Sequence, residues 1–293
     1  SLGASRRAML QYRLGDPRGA YATAERALQV AEAANPGDRL ATLAQPWILA
    51  LALLRLSEAQ FRCHADPPRG LAAAERAEAL FAGLGDAPQQ GRAQMAMART
   101  FQTLGRSAEC ERAIREALAI GRRIADPVLT GHALNLLCFL QTDAVAELDC
   151  LRQALQQYRQ AGFVNGIGLV TANLGRTYVK LGLQHRGRRY YLQALESLRQ
   201  VDDRSGIEVM LWVLWSIEHD LRLPASGERL QQARAWTEAH GAGLFAAMEE
   251  AAPGLVALRE GRAGEAAPAF SPYPRNVQKP FLSRSRAVNR TAR

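Results

Sequence analysis

The chain is poor in aromatic residues and has no long apolar run. Phe, Trp and Tyr make up 6% of its 293 residues, whereas alanine is abundant. This composition favours helices packed through small side chains over a sheet core, which uses β-branched and aromatic residues. The longest apolar stretch, Trp47–Leu54, is far shorter than the roughly 18 residues that span a bilayer. We therefore predict no membrane-spanning helix, and no secretory signal is visible.

Metal-binding and redox motifs are also missing. The four cysteines, Cys63, Cys110, Cys138 and Cys150, include no C-x2-C pair, the spacing typical of zinc sites and redox dithiols. None of the five histidines forms H-E-x-x-H or pairs with a cysteine at ligand spacing. We predict no metal and no cofactor, and we interpret the cysteines as buried thiols of a cytoplasmic protein.

The motifs of known nucleotide-binding and catalytic sites are incomplete or absent in this sequence. Gly162–Gly168 is glycine-rich but lacks the third glycine of a dinucleotide-binding fingerprint. Gly175–Thr177 resembles the end of a phosphate-binding loop, but an arginine replaces the lysine and Val170 stands where the first glycine is required. G-x-S-x-G is absent, and we interpret Glu218–Asp220 as a solvated charged cluster near a helix end. The sequence therefore predicts a protein that is not an enzyme.

The net charge of +9 is unevenly distributed. Without the basic residues that follow Glu265, the chain has 31 basic and 28 acidic residues, a net charge of +3. The high pI therefore belongs to the C-terminal segment and does not indicate a nucleic-acid-binding domain. The residues concerned are Arg275, Lys279, Arg284, Arg286, Arg290 and Arg293.

What the chain does have is a repeat. Across Gly168–Leu195, small and apolar residues recur at helical spacing in two blocks with a Leu-Gly break between them. Glycine after the last periodic residue is a helix stop signal. Gly175 and Gly187 would let two helices approach closely, with Tyr178 and Tyr191 filling the gaps beside them.

Related units recur along most of the chain. A second Leu-Gly break, before Arg106, divides a unit that begins near Gly91. The pair Asp16-Pro17, followed by Ala-Glu-Arg-Ala, reappears 50 residues later at Asp66-Pro67. Glycines open successive pairs at steps of 40, 35 and 40 residues, a spacing found in helical solenoids: Gly91, Gly131, Gly166 and Gly206.

These residues resemble the tetratricopeptide repeat. The match is good over 168–195 and moderate over 91–118, and long junctions such as Asp202–Gly206 resemble the MalT-type subgroup. The resemblance implies an all-α, right-handed α-α superhelix, a solenoid of about six helix pairs. It also implies a parent protein with an ATPase module and a DNA-binding or nucleotide-cyclase domain. The family has no catalytic residue in its repeats, so none is carried over.

We divide the chain into a solenoid, residues 1–265, and a C-terminal tail, residues 266–293. The chain begins at Ser1 in mid-pattern, which predicts a fragment of a longer protein. The predicted helix pairs lie near 1–35, 40–84, 91–125, 130–162, 167–201 and 206–240, followed by a half-repeat at 243–265.

The tail contains four prolines between positions 268 and 280 and is predicted to be disordered. Two explanations remain open: a natural basic tail, or a frame-shifted or artificial end. We favour the second, because a first helix without its partner leaves an apolar face uncovered.

First helices line the concave surface of such solenoids, which forms a groove for peptides. Arg176 and Lys180, one turn apart, are predicted to grip peptide carboxylates, the ordinary alternative being solvated charges. Asn135 and Asn173 occupy matching places, and we interpret them as bonding backbone between helices, the alternative being that they bind the ligand. Judged by repeat phase, four cations project from first helices away from the core: Arg92, Arg99, Arg176 and Lys180.

The sequence therefore predicts a non-enzymatic interaction module that binds a peptide or a protein domain, with solenoid flexing as the relay to a neighbouring domain of the parent chain. It predicts no membrane partner and no direct nucleic-acid binding by the solenoid. One alternative is a small-molecule sensor with a closed apolar pocket among Trp212, Trp215 and Tyr178. The other is an accessory part of a nucleotide cyclase or another enzyme whose catalytic domain lies outside this sequence.

Overall fold

The computed structural model describes Arg7 and residues 17–33, 39–63 and 66–240. Across these residues every regular element is a helix. In chain order they are α1 (Pro17–Ala33), α2 (Arg39–Cys63), α3 (Pro67–Gly83), α4 (Ala87–Thr103), α5 (Ser107–Arg123), α6 (Pro127–Leu137), a 3-10 turn (Cys138–Leu140), α7 (Ala144–Gln160), α8 (Val164–Lys180), α9 (Gln184–Gln200), α10 (Arg204–Asp220) and α11 (Ala225–His240). None of these described helices combines the length and the apolar character that crossing a membrane requires. The predicted half-repeat at 243–265 and the predicted tail lie outside the described residues.

Aspartates set where several helices begin. The side chain of each accepts a hydrogen bond from a backbone N–H of the first turn, one of the donors that a helix leaves unsatisfied. Because these caps precede Gly91 and Gly131, the predicted opening glycines lie inside α4 and α6 rather than at their starts. The capping residues are Asp66, Asp86, Asp126 and Asp143.

Leucine-glycine pairs end helices, as the sequence predicts. At Gly105 and Gly182 the backbone is left-handed, with φ of +72° and +78°, a conformation that glycine adopts without a Cβ penalty. The N–H of Leu183 then donates to the carbonyl of Tyr178 at 2.9 Å. This bond satisfies a carbonyl of the last turn of α8 and fixes the path into α9.

The segment Ser1–Ile207 is one of two compact units. Within it each described helix packs against the next one in sequence. The first helices of neighbouring pairs also contact one another, α2 with α4, α4 with α6 and α6 with α8, more extensively than the second helices do. The first helices therefore lie on the inner side of the row of pairs in this unit.

Two glycines face each other where α8 crosses α9. A Cβ at Gly187 would lie 2.8 Å from the carbonyl oxygen of Gly175 and 2.5 Å from Cγ2 of Val179, closer than close-packed atoms approach. The Tyr191 ring lies 3.1 Å from the position of a Cβ on Gly175. Small residues with a tyrosine beside them thus permit the close approach that the spacing predicts.

Two clusters of buried side chains form the core of this unit. One contains alanines and leucines around Leu54 and Phe81, and the other surrounds Tyr158. Cys110 and Cys138 belong to the second cluster. Burial raises the pKa of both thiols, that of Cys138 to about 12, so both are protonated at neutral pH and are poor nucleophiles.

The second unit begins at Glu208 and is described as far as His240. Trp212 and Trp215, both buried, pack edge to face with ring centroids 4.7 Å apart and planes at 70°. This arrangement is typical of aromatic pairs in protein cores. The two indole rings therefore pack against each other within this unit.

The prediction that Glu218–Asp220 is solvated is wrong for Glu218. Its side chain is fully buried and pairs with Arg229 of α11, whose Nε lies 3.3 Å from Oε2. A buried carboxylate requires such a partner because an uncompensated charge inside a protein is costly. The partner comes from the next helix, so local sequence could not reveal it.

Candidate functional site

The side chains predicted to bind a ligand lie on the first helices α4 and α8. Residues three or four apart on a helix share one face, and the corresponding face of α6 lies between these two helices. Asn173 Nδ2 donates to Asn135 Oδ1 at 2.8 Å, so the faces of α8 and α6 meet. We call the following side chains the inner face: Arg92, Arg99, His132, Asn135, Leu169, Asn173, Arg176 and Lys180.

The two asparagines differ from their predicted arrangement. We expected each to bond backbone between helices, but their amides bond to each other. Asn135 is 8% exposed, and Asn173 is half-buried. An amide has two N–H donors and two acceptor lone pairs, so one bond between them leaves further donors and acceptors on each. The pair joins α6 and α8 at the inner face.

Arg176 and Lys180 converge on one buried carboxylate. Glu147, in the first turn of α7, is 2% exposed. Its Oε1 accepts from Nη2 of Arg176 at 2.9 Å and from Oγ1 of Thr177 at 2.7 Å, and its Oε2 accepts from Nζ of Lys180 at 2.8 Å. Three donors from successive turns of α8 thus neutralise and satisfy one anion of α7.

The environment of Glu147 keeps it ionised. Burial by itself would raise the pKa of this carboxyl, but the hydrogen bonds from Lys180 and Thr177 and the charge of Arg176 outweigh it and hold the pKa below the ordinary value. The guanidinium of Arg176 also lies 4.3 Å from the ring centroid of Phe139, a cation-π contact. Arg176 is therefore held on two sides.

Arg92 and Arg99 of α4 lie near enough to His132 of α6 for their charges to act on its ring. Burial, together with the charges of Arg99 and Arg92, lowers the pKa of the His132 ring to about 3. The ring is therefore neutral near pH 7, and its Nδ1 lies 2.7 Å from the hydroxyl oxygen of Tyr158. The neutral ring and the phenol share this hydrogen bond, whose direction follows the tautomer of the ring. Arg92 is exposed and Arg99 is half-buried.

Two glycines, which lack a Cβ, leave space for the aromatic rings that contact His132. A Cβ at Gly131 would lie 2.6 Å from Cε1 of Tyr158, and one at Gly166 would lie 2.5 Å from Cδ1 of Phe163. His132 packs edge-on against both rings, with centroids 5.4 Å from Tyr158 and 5.7 Å from Phe163. The glycines at the starts of these pairs therefore serve aromatic packing as well as helix approach.

Sequence reasoning missed Glu147. A signal exists in retrospect, because Glu147 lies four residues before Leu151 on the apolar stripe of α7 that continues to Ala154 and Tyr158. A charged residue on such a stripe indicates a buried ion pair. The structure thus brings Arg176 and Lys180 together around Glu147 and places Arg92 and Arg99 near His132. Within the described part of the chain, no group of three side chains comes together as metal ligands.

No family model matches this sequence, and no curated protein matches it. Similar solved structures include a Rap protein complexed with competence and sporulation factor, with a TM-score of 0.71, 12% identity, and 96% of this chain and 75% of that chain covered. The apo form of RapI gives a TM-score of 0.61 at 11% identity, covering 95% of this chain and 98% of that chain. Aspartyl phosphate phosphatase F from Bacillus subtilis gives 0.63 at 12%, covering 90% and 66%. These likenesses are of fold, and the predicted all-α helical repeat of tetratricopeptide type is confirmed.

Proposed function

We propose that this chain is a non-enzymatic interaction module that binds a peptide or a domain of a partner protein along the inner face. One observation carries the proposal: consecutive first helices present two arginines of α4, an amide pair of α6 and α8, and two cations of α8. Guanidinium groups bind carboxylates bidentately, and amides can pair with peptide backbone. A row of such groups matches an acidic peptide.

The contacts of Glu147 support a carboxylate as the recognised group. Its side chain already occupies the place between Arg176 and Lys180, whose side chains remain 35% and 56% exposed. A lysine ammonium has three donors and a guanidinium five, so donors remain for a second anion. We therefore assign a contact with ligand carboxylates to Arg92 and Arg99, and to Arg176 and Lys180 a contact that is shared with Glu147.

Two observations support binding over catalysis. The Rap protein complexed with competence and sporulation factor has this fold and binds a factor, although another neighbour is named a phosphatase. In this chain His132, the inner-face residue best suited to proton transfer, has a pKa of about 3 and is bonded to Tyr158. A general base at neutral pH works best with a pKa near 7.

We further propose that the module belongs to a larger bacterial cytoplasmic signalling protein of MalT type, with an ATPase module, in which occupancy is relayed to a neighbouring domain. The long junction Asp202–Gly206 supports this subgroup. The small-molecule alternative gains no support from its aromatic residues: Tyr178 stacks on Tyr190 at 5.1 Å, and Trp212 contacts Trp215.

A titration with fluorescent acidic peptides, followed by anisotropy, tests the proposal. The double variant Arg92→Gln/Arg99→Gln is expected to weaken binding about tenfold, since each solvated charge pair contributes up to ~1 kcal/mol. The matched control Arg112→Gln/Arg123→Gln removes two exposed arginines of α5, a second helix, and is expected to leave affinity unchanged. Equal affinity of all three proteins contradicts the proposal.

Arg176→Gln/Lys180→Gln extends the same titration to α8. Because these cations also hold Glu147, thermal unfolding is measured in parallel. Weaker binding by a variant that remains folded at the temperature of the titration supports their shared contact. An unchanged affinity would show that Arg176 and Lys180 do not contact the bound peptide.

A further inference from the structure

A long stretch of the chain carries no acidic residue. Between positions 150 and 195 there are seven arginines and lysines and no aspartate or glutamate. Two of the cations, Arg176 and Lys180, are paired with Glu147. Arg186 and Arg189, in the first turns of α9, are both exposed. Arg186 and Arg189 thus place two exposed cations near the turn from α8 to α9, and neither belongs to the inner face.

Arg186 is held in place by aromatic rings. Its guanidinium carbon lies 4.4 Å from the ring centroid of Tyr178, and the Tyr178 ring stacks on Tyr190 at 5.1 Å with planes 13° apart. Such layered contacts cost a guanidinium little of its hydrogen-bonding capacity, since the N–H groups point outward in the ring plane. Arg189, three residues later, lies on the same face of α9.

Two leucines stand beside these arginines. Leu181 and Leu183 are each 47% exposed. Left-handed Gly182 lies between them, and the bond from Leu183 N–H to Tyr178 O fixes the turn. We call Leu181, Leu183, Arg186 and Arg189 the α8–α9 edge.

The α8–α9 edge carries two positive charges on closely packed helices. Gly187 and Gly175 let α8 and α9 approach each other closely. No side chain caps α9, and its first turn contains no acidic residue. The positive end of the helix dipole therefore adds to the field of Arg186 and Arg189.

We infer that the α8–α9 edge docks an acidic segment of a partner protein, in which carboxylates flank an apolar side chain. The carboxylates would pair with Arg186 and Arg189, and the apolar side chain would cover Leu181 and Leu183. Charge complementarity selects an anionic partner. The exposed leucines favour a protein over a nucleic acid, because protein interfaces place apolar contacts inside a polar rim. The surface goes beyond the inner face of the proposed function.

The test compares three fluorescent probes by anisotropy with the full chain: a short peptide of glutamates flanking leucine, polyglutamate, and a single-stranded oligonucleotide. Arg186→Glu/Arg189→Glu is expected to weaken binding of the leucine peptide by about tenfold or more. A glutamate in the first turn of α9 is favourable to the helix, so this variant is expected to fold, which circular dichroism checks. Leu181→Ser/Leu183→Ser is expected to weaken binding of the leucine peptide and not that of polyglutamate.

Matched controls separate this surface from others. Arg112→Glu/Arg123→Glu makes the same change in net charge on α5 and is expected to leave binding unchanged. In a chain that already carries Arg92→Gln/Arg99→Gln, which removes two cations of the inner face, Arg186→Glu/Arg189→Glu is expected to weaken binding of the leucine peptide by the same factor as in the wild-type chain. Equal weakening by the α5 control overturns the inference. So does tighter binding of the oligonucleotide than of the leucine peptide, or an unchanged affinity of the leucine peptide in both edge variants.

Discussion

Glu147 is the residue at which packing and charge meet between α7 and α8. It lies on the apolar stripe of α7, yet three side chains of α8 satisfy its carboxylate. Removing a carboxylate from water is costly, and the cost is offset only where hydrogen bonds and opposite charge are supplied together. The ion pairs therefore tie α7 to the pair that follows it, in addition to any contact with a ligand.

Glu147→Gln keeps the shape of the side chain and removes its charge. We expect the free energy of unfolding to fall by about 2 kcal/mol, less than for a fully buried pair, because Arg176 and Lys180 are partly exposed and can turn to solvent. Urea unfolding followed by far-UV circular dichroism measures the change. Asp149→Asn, at an exposed position of α7, is the control and should change stability by less than about 0.5 kcal/mol. Equal effects of the two substitutions would show that the ion pairs add nothing.

His132 is expected to make the fold sensitive to acid. The unfolded ring takes up a proton near its ordinary pKa of 6.5, whereas the native ring does so only near 3. Protonation between these values favours the unfolded chain, so this stability is fully present above pH 6.5 and is lost as pH falls toward 3. The loss is at most about 1.4 kcal/mol per pH unit.

Unfolding in urea at about pH 7 and at about pH 5.5 measures this loss. His132→Gln keeps a side chain that can donate or accept a hydrogen bond with Tyr158 but does not titrate in this range, and we expect its stability to fall less over the interval. Because the pKa of Glu147 is lowered from 4.5, its protonation changes stability only below about pH 4.5, outside the pH range of this measurement. His185→Gln, at an exposed histidine, should retain the wild-type dependence, and an unchanged slope in His132→Gln would refute the assignment.

At the scale of helices, the α8–α9 pair follows from its sequence and the α6–α7 pair does not. The Leu-Gly break and the facing glycines of α8 and α9 are local signals, and the structure uses both. α6 instead ends at Leu137 and continues as a 3-10 turn. There Cys138 Sγ donates to the Asn135 carbonyl, and Gln141 Nε2 donates to the Leu137 carbonyl. These side-chain hydrogen bonds end α6, where other helices end at a left-handed glycine. No simple sequence pattern predicts them.

Gly187→Ala tests the helix crossing. The new methyl group would meet Val179 and the Gly175 carbonyl, and a backbone atom cannot move aside as a side-chain tip can. Overpacking should exceed the gain in helix propensity, so we expect a net loss of about 2 kcal/mol in the free energy of unfolding. Gly83→Ala is the matched control, because nothing lies within 4 Å of its Cβ position in α3. Its stability should rise by up to about 1 kcal/mol. A neutral or stabilising Gly187→Ala would mean that the two helices can separate without cost.

Across the whole molecule, fold class was easier to predict from sequence than the binding surface. Periodicity and turn residues are local, and they identify a helical repeat. The position of Arg176 on a first helix also follows from repeat phase. Its partner Glu147 lies 29 residues earlier in another helix, and the lowered pKa of His132 comes from burial among packed helices, with a further contribution from arginines of α4. Such relations arise only when the pairs stack.

Charge acts at this largest scale as well. With a net charge of +9, binding of an acidic peptide to the inner face should weaken as salt is added, because the Debye length falls below ~10 Å above 0.1 M. We expect affinity to fall at least about threefold between about 0.05 and about 0.3 M salt. Arg92→Gln/Arg99→Gln should show a shallower dependence in the same anisotropy titration. A wild-type affinity that does not respond to salt would argue for apolar recognition instead.

The aspartate caps have a consequence for how this chain can change in evolution. Asp66, Asp86, Asp126 and Asp143 each specify the start of one helix through atoms of its own first turn. The residue that specifies the start of a helix therefore lies next to that helix in sequence, and it is copied or lost together with the helix when a gene segment is duplicated or deleted. Homologues should accordingly differ in length by whole modules of about 35 to 40 residues, with inheritance adding or removing complete hairpins.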